Sequence, residues 1–146
     1  MIGKMLLVFV IAFSFIVAPV AAQRTGQEPA AVEGTWILVT SELGGKKLPD
    51  EGLKDSRLIL TGGRYSFQND YGTYKVALPE QAGSPTPMDI VGTDGPNKGK
   101  TILAIYELSG DTLRICYDLG GKQRPSEFTT HAGTSQFLVL YKRAKD

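Results

Sequence analysis

The stretch from Thr101 to Tyr117 constrains the fold more than any other, because it has the pattern of two β-strands joined by a tight turn. Gly110 and Asp111 supply that turn, and glycine at its first central position suits a type II′ turn, whose twist matches the flanking strands. The turn sets a register in which Leu108 faces Leu113. This hairpin predicts an antiparallel, all-β domain.

The same register gives the hairpin one apolar side and one mixed side. A pair of opposite charges directly across a ladder contributes about 0.2–1 kcal/mol, so the charged pair supports the register that the turn predicts. The expected cross-strand pairs are Tyr106 with Ile115, Ala104 with Tyr117, Glu107 with Arg114, and Ile105 with Cys116.

Six further segments alternate apolar and polar residues in the same way, and none of the chain after the N-terminal region has the pattern of a long amphipathic helix. Eight short strands with tight turns predict an antiparallel meander closed into a small β-barrel, which leaves no exposed sheet edge. An open sandwich is the alternative. The expected strands are 34–43, 56–61, 64–68, 73–78, 88–91, 101–109, 112–117 and 136–143. The second and third form another hairpin, in which a turn at Gly62 and Gly63 places Leu58 opposite Phe67.

Alternation also predicts which residues face the interior of the barrel. In the first strand Trp36, Leu38 and Thr40 share one face, and Ile37, Val39 and Ser41 share the other. The interior residues are long and often aromatic, which predicts a mostly filled core with at most a small pocket at an open end. The expected interior is Trp36, Leu38, Leu58, Leu60, Tyr65, Phe67, Tyr74, Val76, Leu78, Met88, Ile90, Ile102, Ala104, Tyr106, Leu108, Leu113, Ile115, Tyr117, Phe137, Val139 and Tyr141.

The N-terminal region has the features of a secretory signal peptide. Lys4 precedes a 14-residue apolar run interrupted only by Ser14, and small residues stand before Gln23. A membrane-spanning helix is the alternative, but a span needs about 20 residues. We therefore expect a signal peptide at 1–22, a flexible leader at 23–32, a barrel domain at 33–146, and export to the periplasm or the extracellular space.

Charge and cysteine content exclude several classes of function. Without residues 1–22 the chain has 15 basic and 15 acidic residues, which gives no electrostatic reason to bind nucleic acid or an anionic membrane surface. The single cysteine, Cys116, has no intramolecular disulfide partner. The domain must therefore rely on its hydrophobic core, which is feasible at this length.

Short motifs spread over nearly the whole predicted domain resemble a small lipocalin-like family of uncharacterised function that recurs in exported planctomycete proteins. The resemblance implies a lipocalin-like barrel and export, and it implies no activity, ligand or catalytic residue. The segments that carry it are Gly34-Thr-Trp36, Gly45-Lys-Lys-Leu-Pro49, Tyr71-Gly-Thr-Tyr74, Pro87-Met-Asp-Ile90, Gly99-Lys-Thr101, Ile105-Tyr-Glu-Leu108, Gly110-Asp-Thr-Leu-Arg-Ile-Cys116 and Arg124-Pro-Ser-Glu-Phe128.

Trp36 and Arg143 also resemble the lipocalin pattern, in which a tryptophan near the first strand packs beneath a basic residue from the last. We therefore interpret both as structural residues, and we expect Arg143, or its neighbour Lys142, to stack against the Trp36 ring at one end of the barrel. The candidate ligand-binding residues are Tyr106 and Tyr117, as part of a tyrosine rim, and Arg114, which would bind a ligand carboxylate if its face of the sheet turned inward.

Two further patterns resemble functional motifs, a phosphate-binding loop and a thiol nucleophile, but neither meets the requirements of its motif. Gly95 to Thr101 resembles a phosphate-binding loop, but its spacing is one residue short and a strand follows where a helix is needed. A thiol nucleophile at Cys116 would need a base, and the only histidine, His131, lies in the long connection before the last strand. A lone cysteine in a strand is usually a packed apolar residue.

No metal or cofactor pattern is visible either. One histidine, one cysteine and scattered carboxylates have no ligand spacing, so we expect no metal and no cofactor. Glu107 with Asp118 or Glu127 is a conceivable carboxylate pair for hydrolysis, but Arg114 is the expected partner of Glu107.

Three hypotheses about function follow. The first is a non-enzymatic exported module that acts through surface contacts with an unknown protein partner. The second is a carrier that binds a small apolar ligand at the mouth of the barrel. The third is an enzyme, which no pattern in the sequence supports, so we expect the protein not to be one.

Overall fold

The computed structural model describes residues 29–77 and 84–145. The predicted signal peptide, residues 23–28 of the predicted leader and Leu78 lie outside these ranges. The described chain forms one short 3-10 helix and nine β-strands. Their bounds are Pro29–Val32 for the helix, then β1 Gly34–Leu43, β2 Lys46–Lys47, β3 Arg57–Thr61, β4 Arg64–Phe67, β5 Asp70–Val76, β6 Thr86–Asp94, β7 Thr101–Ser109, β8 Thr112–Asp118 and β9 Gln136–Arg143.

Eight of these strands form a closed antiparallel barrel. From β3 to β9 each strand pairs with the next along the chain, and β1 pairs with both β3 and β9. The pairing of β1 with β9 closes the sheet on itself, with Trp36 opposite Arg143. The predicted barrel is therefore confirmed. The additional strand, β2, has two residues and pairs only with the end of β1.

Both predicted hairpins have the expected register. Leu108 lies opposite Leu113 across the turn at Gly110 and Asp111. Gly110 has a φ of 57°, as the first central residue of a type II′ turn requires. The earlier hairpin likewise places Leu58 opposite Phe67. Two-residue turns thus fix the pairing of four of the eight barrel strands.

Two strands differ from their predicted bounds by more than one residue. The fifth predicted strand, 88–91, extends over Thr86–Asp94 because its whole length pairs with β5 and β7. The fourth begins at Asp70 rather than at Thr73, since the turn before it takes only residues 68 and 69. Asp70 consequently lies on the inner side, two and four residues before Gly72 and Tyr74.

A β-bulge changes the alternation within β1. The register with β9 shifts between Leu38 and Thr40, and one extra residue at a bulge reverses the faces that follow it. Ser41 lies opposite the inward-facing Val139 and is buried, although simple alternation predicted it on the outer face. Val39, at the bulge, is exposed.

The interior of the barrel matches the predicted set. Every predicted interior residue that the structure describes is buried or packs against the buried cluster. Val32, which we had expected in the flexible leader, joins this cluster from the 3-10 helix and is fully buried. The last turn before β1 therefore belongs to the folded domain.

One end of the barrel, which we call the closed end, is filled by Val32, Trp36 and the guanidinium of Arg143. That guanidinium lies 4.2 Å from the centre of the Trp36 ring, so the predicted contact between the two residues is present. Trp36 Nε1 donates a hydrogen bond to the Val32 carbonyl at 2.8 Å, and Arg143 donates to the carbonyls of Glu33 and Ala31 at 2.9 and 3.1 Å.

The opposite end, which we call the mouth, is formed by the start of β5, the β6–β7 loop and the long connection between β8 and β9. These segments surround a cavity. Among the residues that the structure describes, no helix is long and apolar enough to cross a membrane.

Candidate functional site

A cavity of about 100 Å³ lies inside the barrel and opens at the mouth. Most of its lining is apolar, and six of its residues are aromatic. The predicted small pocket near an open end is therefore present. The lining residues are Leu58, Leu60, Tyr65, Phe67, Asp70, Tyr74, Met88, Ile90, Asn97, Ile102, Ile115, Tyr117, Leu119, Phe137 and Tyr141.

Asp70 is the one acidic residue in this lining, and it is only 8% exposed. Its carboxylate accepts three hydrogen bonds from uncharged groups. The backbone N–H of Asn97 donates to Oδ1 at 3.0 Å, the Asn97 amide donates to Oδ2 at 2.7 Å, and the Tyr65 hydroxyl donates to Oδ2 at 3.0 Å. Burial, and then the hydrogen bond to Asp70 and its negative charge, raise the pKa of Tyr65.

Two glycines allow the β6–β7 loop to carry Asn97 onto Asp70. A Cβ atom at Gly92 would lie 1.9 Å from the Asn97 carbonyl oxygen, and one at Gly95 would lie 2.3 Å from the Asn69 carbonyl oxygen. Any larger residue would push the loop away from β5. In the segment that resembled a phosphate-binding loop, Gly95 is therefore needed for close packing against the start of β5, whereas an added Cβ at Gly99 would have no atom within 4 Å.

Tyr117 and Tyr141 form a second polar group in the cavity. Their hydroxyl oxygens are 3.3 Å apart, and the Tyr117 ring stacks on Phe137 with centres 5.9 Å apart. Burial raises the pKa of Tyr141 to about 12. Burial, together with the neighbouring Tyr141 hydroxyl, raises the pKa of Tyr117 well above its ordinary value. Both groups therefore stay as neutral hydroxyls over the physiological pH range.

The connection between β8 and β9 is held in place by Asp118 and Arg124. The Asp118 carboxylate accepts hydrogen bonds from the backbone N–H groups of residues 120, 122 and 123 at 3.0, 2.8 and 2.7 Å. Burial raises the pKa of Asp118, but these three bonds and the positive charge of Lys122 together outweigh it, so the net pKa is lowered. Arg124 donates to the carbonyls of Met88 and Ala104 and pairs with Asp89. These contacts fix the rim residue Leu119.

The three predicted ligand-binding residues do not come together. Only Tyr117 lines the cavity. Tyr106 is fully buried outside the cavity lining, and its hydroxyl has no hydrogen-bond partner of ordinary geometry among the described residues. Burial raises the pKa of Tyr106. The side chain of its cross-strand neighbour Thr86 lowers this pKa, but by a smaller amount.

Arg114 lies on the outer face of β8, away from the cavity. It forms an ion pair with Glu107, as predicted, and its guanidinium stacks on Phe128 at 4.0 Å from the ring centre. The carboxylate of Glu107 is therefore paired with Arg114. The carboxylate of Asp118 accepts hydrogen bonds from the backbone of the β8–β9 connection. Neither is placed as a member of a hydrolytic carboxylate pair.

Cys116 is fully buried beneath the same loop, on the outer side of the sheet. Its thiol donates to the Thr129 carbonyl at 3.5 Å. Burial raises the pKa of Cys116 to about 11, which disfavours the nucleophilic thiolate. His131 is exposed, and its Nε2 lies 3.5 Å from the Thr129 hydroxyl. In the described ranges no group of histidine, cysteine and acidic side chains could hold a metal ion.

Asp70, Asn97 and Leu119 are the lining residues that sequence reasoning missed, because all three lie between the predicted strands. Asp70 shares its side of β5 with Gly72 and Tyr74, so extending that alternation back by two residues would have placed it inside the barrel. Nothing in the local pattern around Asn97 indicates that it contacts a residue 27 positions earlier.

Comparison of the chain with protein-family models, with curated proteins and with solved structures returns no match. The resemblance to a lipocalin-like family stays a prediction.

Proposed function

We propose that this protein is a non-enzymatic binding module whose barrel takes up one small, mainly apolar molecule at its mouth. The observation that carries the proposal is the cavity of about 100 Å³, lined by apolar and aromatic side chains with two polar groups. Apolar walls with a few polar groups are typical of small-molecule sites.

The volume limits the size of the ligand. An engineered apolar cavity of about 150 Å³ holds benzene, whereas pockets for drug-sized ligands measure about 300–1,000 Å³. At about 100 Å³ this cavity is smaller than both, so it suits at most one compact ring, part of which extends with its substituent into the open mouth. A long fatty acid does not fit, which agrees with the crowded interior expected from the sequence.

The absence of an enzymatic role is part of the proposal. The buried thiol of Cys116, with its raised pKa, is a poor nucleophile. The carboxylates of Asp118 and Glu107 are each occupied by structural partners. These observations support a binding role over a hydrolytic one.

Surface contacts with a protein partner are the second candidate. Ile59 and Tyr71 are 41% and 45% exposed on the outer faces of β3 and β5, the two strands that flank β4, where they line a shallow groove. These side chains are available for contact, but they do not indicate a class of partner. The cavity is the more specific feature, and we therefore place ligand binding first.

We also propose that the module works outside the cytoplasm, and the pattern of residues 1–22 is what supports this. The predicted outcome of expression in a bacterium with a secretory pathway is a secreted protein that begins at Gln23. Intact-mass measurement of the secreted protein tests this, and a protein that retains residues 1–22 would contradict it.

The binding proposal is tested by titrating the isotope-labelled protein with toluene and following amide resonances by NMR. We expect saturable shifts at cavity residues. Leu119→Trp adds bulk at the mouth and should weaken binding at least tenfold. The matched control is Val91→Trp, because Val91 is similarly exposed, 40%, but lies on the outer face of β6 and outside the cavity lining. Failure of toluene and of its close analogues to bind would refute the proposal.

A further inference from the structure

The cavity contains a negative charge that no basic side chain balances. Asp70 lines it, and no lysine, arginine or histidine is among the lining residues. The donors that Asp70 receives, from Tyr65 and Asn97, are neutral, and none of the ion pairs among the described residues includes Asp70. A buried carboxylate usually has a cationic partner.

The hydrogen bonds at Asp70 leave part of its capacity unused. A carboxylate has about four acceptor positions, two on each oxygen. Oδ2 accepts from Tyr65 and from the Asn97 amide, whereas Oδ1 accepts only from the Asn97 backbone. One position on Oδ1 therefore remains for a donor that enters the mouth.

The other polar atoms of the cavity are also richer in acceptors than in donors. The Tyr65 hydroxyl uses its hydrogen on Asp70 and keeps its lone pairs. Tyr117 and Tyr141 share one hydrogen bond, which leaves lone pairs on both oxygens. The tyrosine and phenylalanine rings add faces of negative potential, which attract cations.

From these observations we infer that the ligand is a small organic cation, namely an amine with a compact apolar body whose ammonium group binds Asp70. This inference rests on the proposed binding function and specifies its ligand class. An ammonium group supplies three donors and no acceptor, which complements an acceptor-rich site. Its hydrogen bond to a carboxylate is charge-assisted and therefore stronger than that of a neutral hydroxyl.

The same geometry disfavours anions. A carboxylate ligand at the mouth would lie near the Asp70 carboxylate, with no cation in the cavity lining to offset the repulsion or the loss of hydration. The site should therefore rank ligands with one shared ring in the order benzylamine, benzyl alcohol, toluene and benzoate, from tightest to weakest.

The experiment measures the dissociation constants of these four compounds at pH 7 by NMR titration, with the Asn97 backbone and side-chain amides as reporters. We expect benzylamine to bind at least tenfold more tightly than toluene, and benzoate to show no saturable binding. If none of the four binds, the proposed function fails. If toluene binds as tightly as benzylamine, the function stands and this inference is overturned.

Two variants identify the source of the preference. Asp70→Asn removes the charge with little change of shape, and it should reduce the affinity for benzylamine at least tenfold while toluene binding is unchanged. Tyr65→Phe removes one hydrogen bond to Asp70 but leaves its charge, so the preference for the amine should persist. The inference is overturned if Asp70→Asn retains the preference, or if it weakens toluene and benzylamine equally.

Discussion

The two ends of the barrel use polar side chains in opposite ways. At the closed end Arg143 covers the Trp36 ring and donates hydrogen bonds to the backbone of residues 31 and 33. At the mouth the charge of Asp70 has only neutral partners, and the Tyr117 and Tyr141 hydroxyls pair with each other. The polar side chains of the closed end thus have their hydrogen-bond partners within the protein. At the mouth, hydrogen-bond acceptor positions remain for a further molecule.

The difference follows from the way each end is assembled. The closed end is formed by the start of β1 and the end of β9, with the segment before β1 folded across it. The mouth is formed by loops, of which the longest connects β8 to β9 and leaves Leu119 at the rim. We interpret the closed end as the main source of stability and the mouth as the place of binding.

The largest expected effect is on the closed end. Trp36→Ala removes a fully buried aromatic ring and the hydrogen bond from its Nε1 to Val32, and should lower the free energy of unfolding by about 3–5 kcal/mol. Phe137→Ala, at the mouth, removes a partly exposed ring and should cost less. Urea denaturation of both variants makes the comparison. Equal losses in the free energy of unfolding would show that the closed end is not the main source of stability.

The second effect concerns alkaline pH and the tyrosines that line the cavity. Burial raises the pKa of Tyr141 from 10.0 to about 12, so between these values the unfolded chain loses a proton that the native protein keeps. The free energy of unfolding should therefore fall as pH rises above 10, by about 2–3 kcal/mol at pH 12 from this residue.

Urea denaturation between pH 8 and pH 12 measures this fall. Tyr141→Phe should reduce it, because phenylalanine does not titrate. The Cys116 thiol, whose pKa is raised from 9.0 to about 11, adds a similar loss at lower pH, so both proteins are best compared in a Cys116→Ser background. An unchanged pH profile in Tyr141→Phe would mean that ionisation of this hydroxyl does not limit alkaline stability.

Much of the barrel could be predicted because local rules determine it. Two-residue turns fixed the register of two hairpins, and the period of two residues identified the interior on seven of the eight barrel strands without further information. The exception is β1, where alternation fails at Ser41. The bulge depends on how β1 pairs with β9, about a hundred residues later in the chain. No local sequence pattern predicts it.

The site was harder to predict than the fold for the same reason. Tyr117 follows from alternation within one strand, and it does line the cavity. Asp70 and Asn97 meet only because a loop folds back onto the start of β5, and the room for that contact depends on glycines at 92 and 95. Arg114 illustrates the converse: its charge suggested a ligand site, but the face on which it lies points outward.

A third, smaller effect tests how Arg143 is held at the closed end. Gly34 has a φ of 132°, and a Cβ atom there would lie 2.8 Å from Arg143 Nη1. Gly34→Ala should therefore displace the guanidinium, lower the free energy of unfolding by about 1–3 kcal/mol, and change the fluorescence of Trp36. Gly110→Ala is the matched control, because its φ is 57° but no atom lies within 4 Å of its added Cβ. Similar fluorescence changes in both variants would contradict a specific contact between Gly34 and Arg143.

The smallest effect is expected at Cys116, which belongs to neither end. Its thiol is buried on the outer side of the sheet and donates weakly to the Thr129 carbonyl, a bond that a serine hydroxyl can also make. Cys116→Ser should therefore cost about 1–2 kcal/mol at most, since a more polar group replaces a packed thiol. Its dissociation constants for toluene and benzylamine should equal those of the unmodified protein, because the cavity lies on the other side of the sheet. A well-folded Cys116→Ser protein that has lost binding would connect the thiol to the site, and would revive the hypothesis that Cys116 takes part in chemistry.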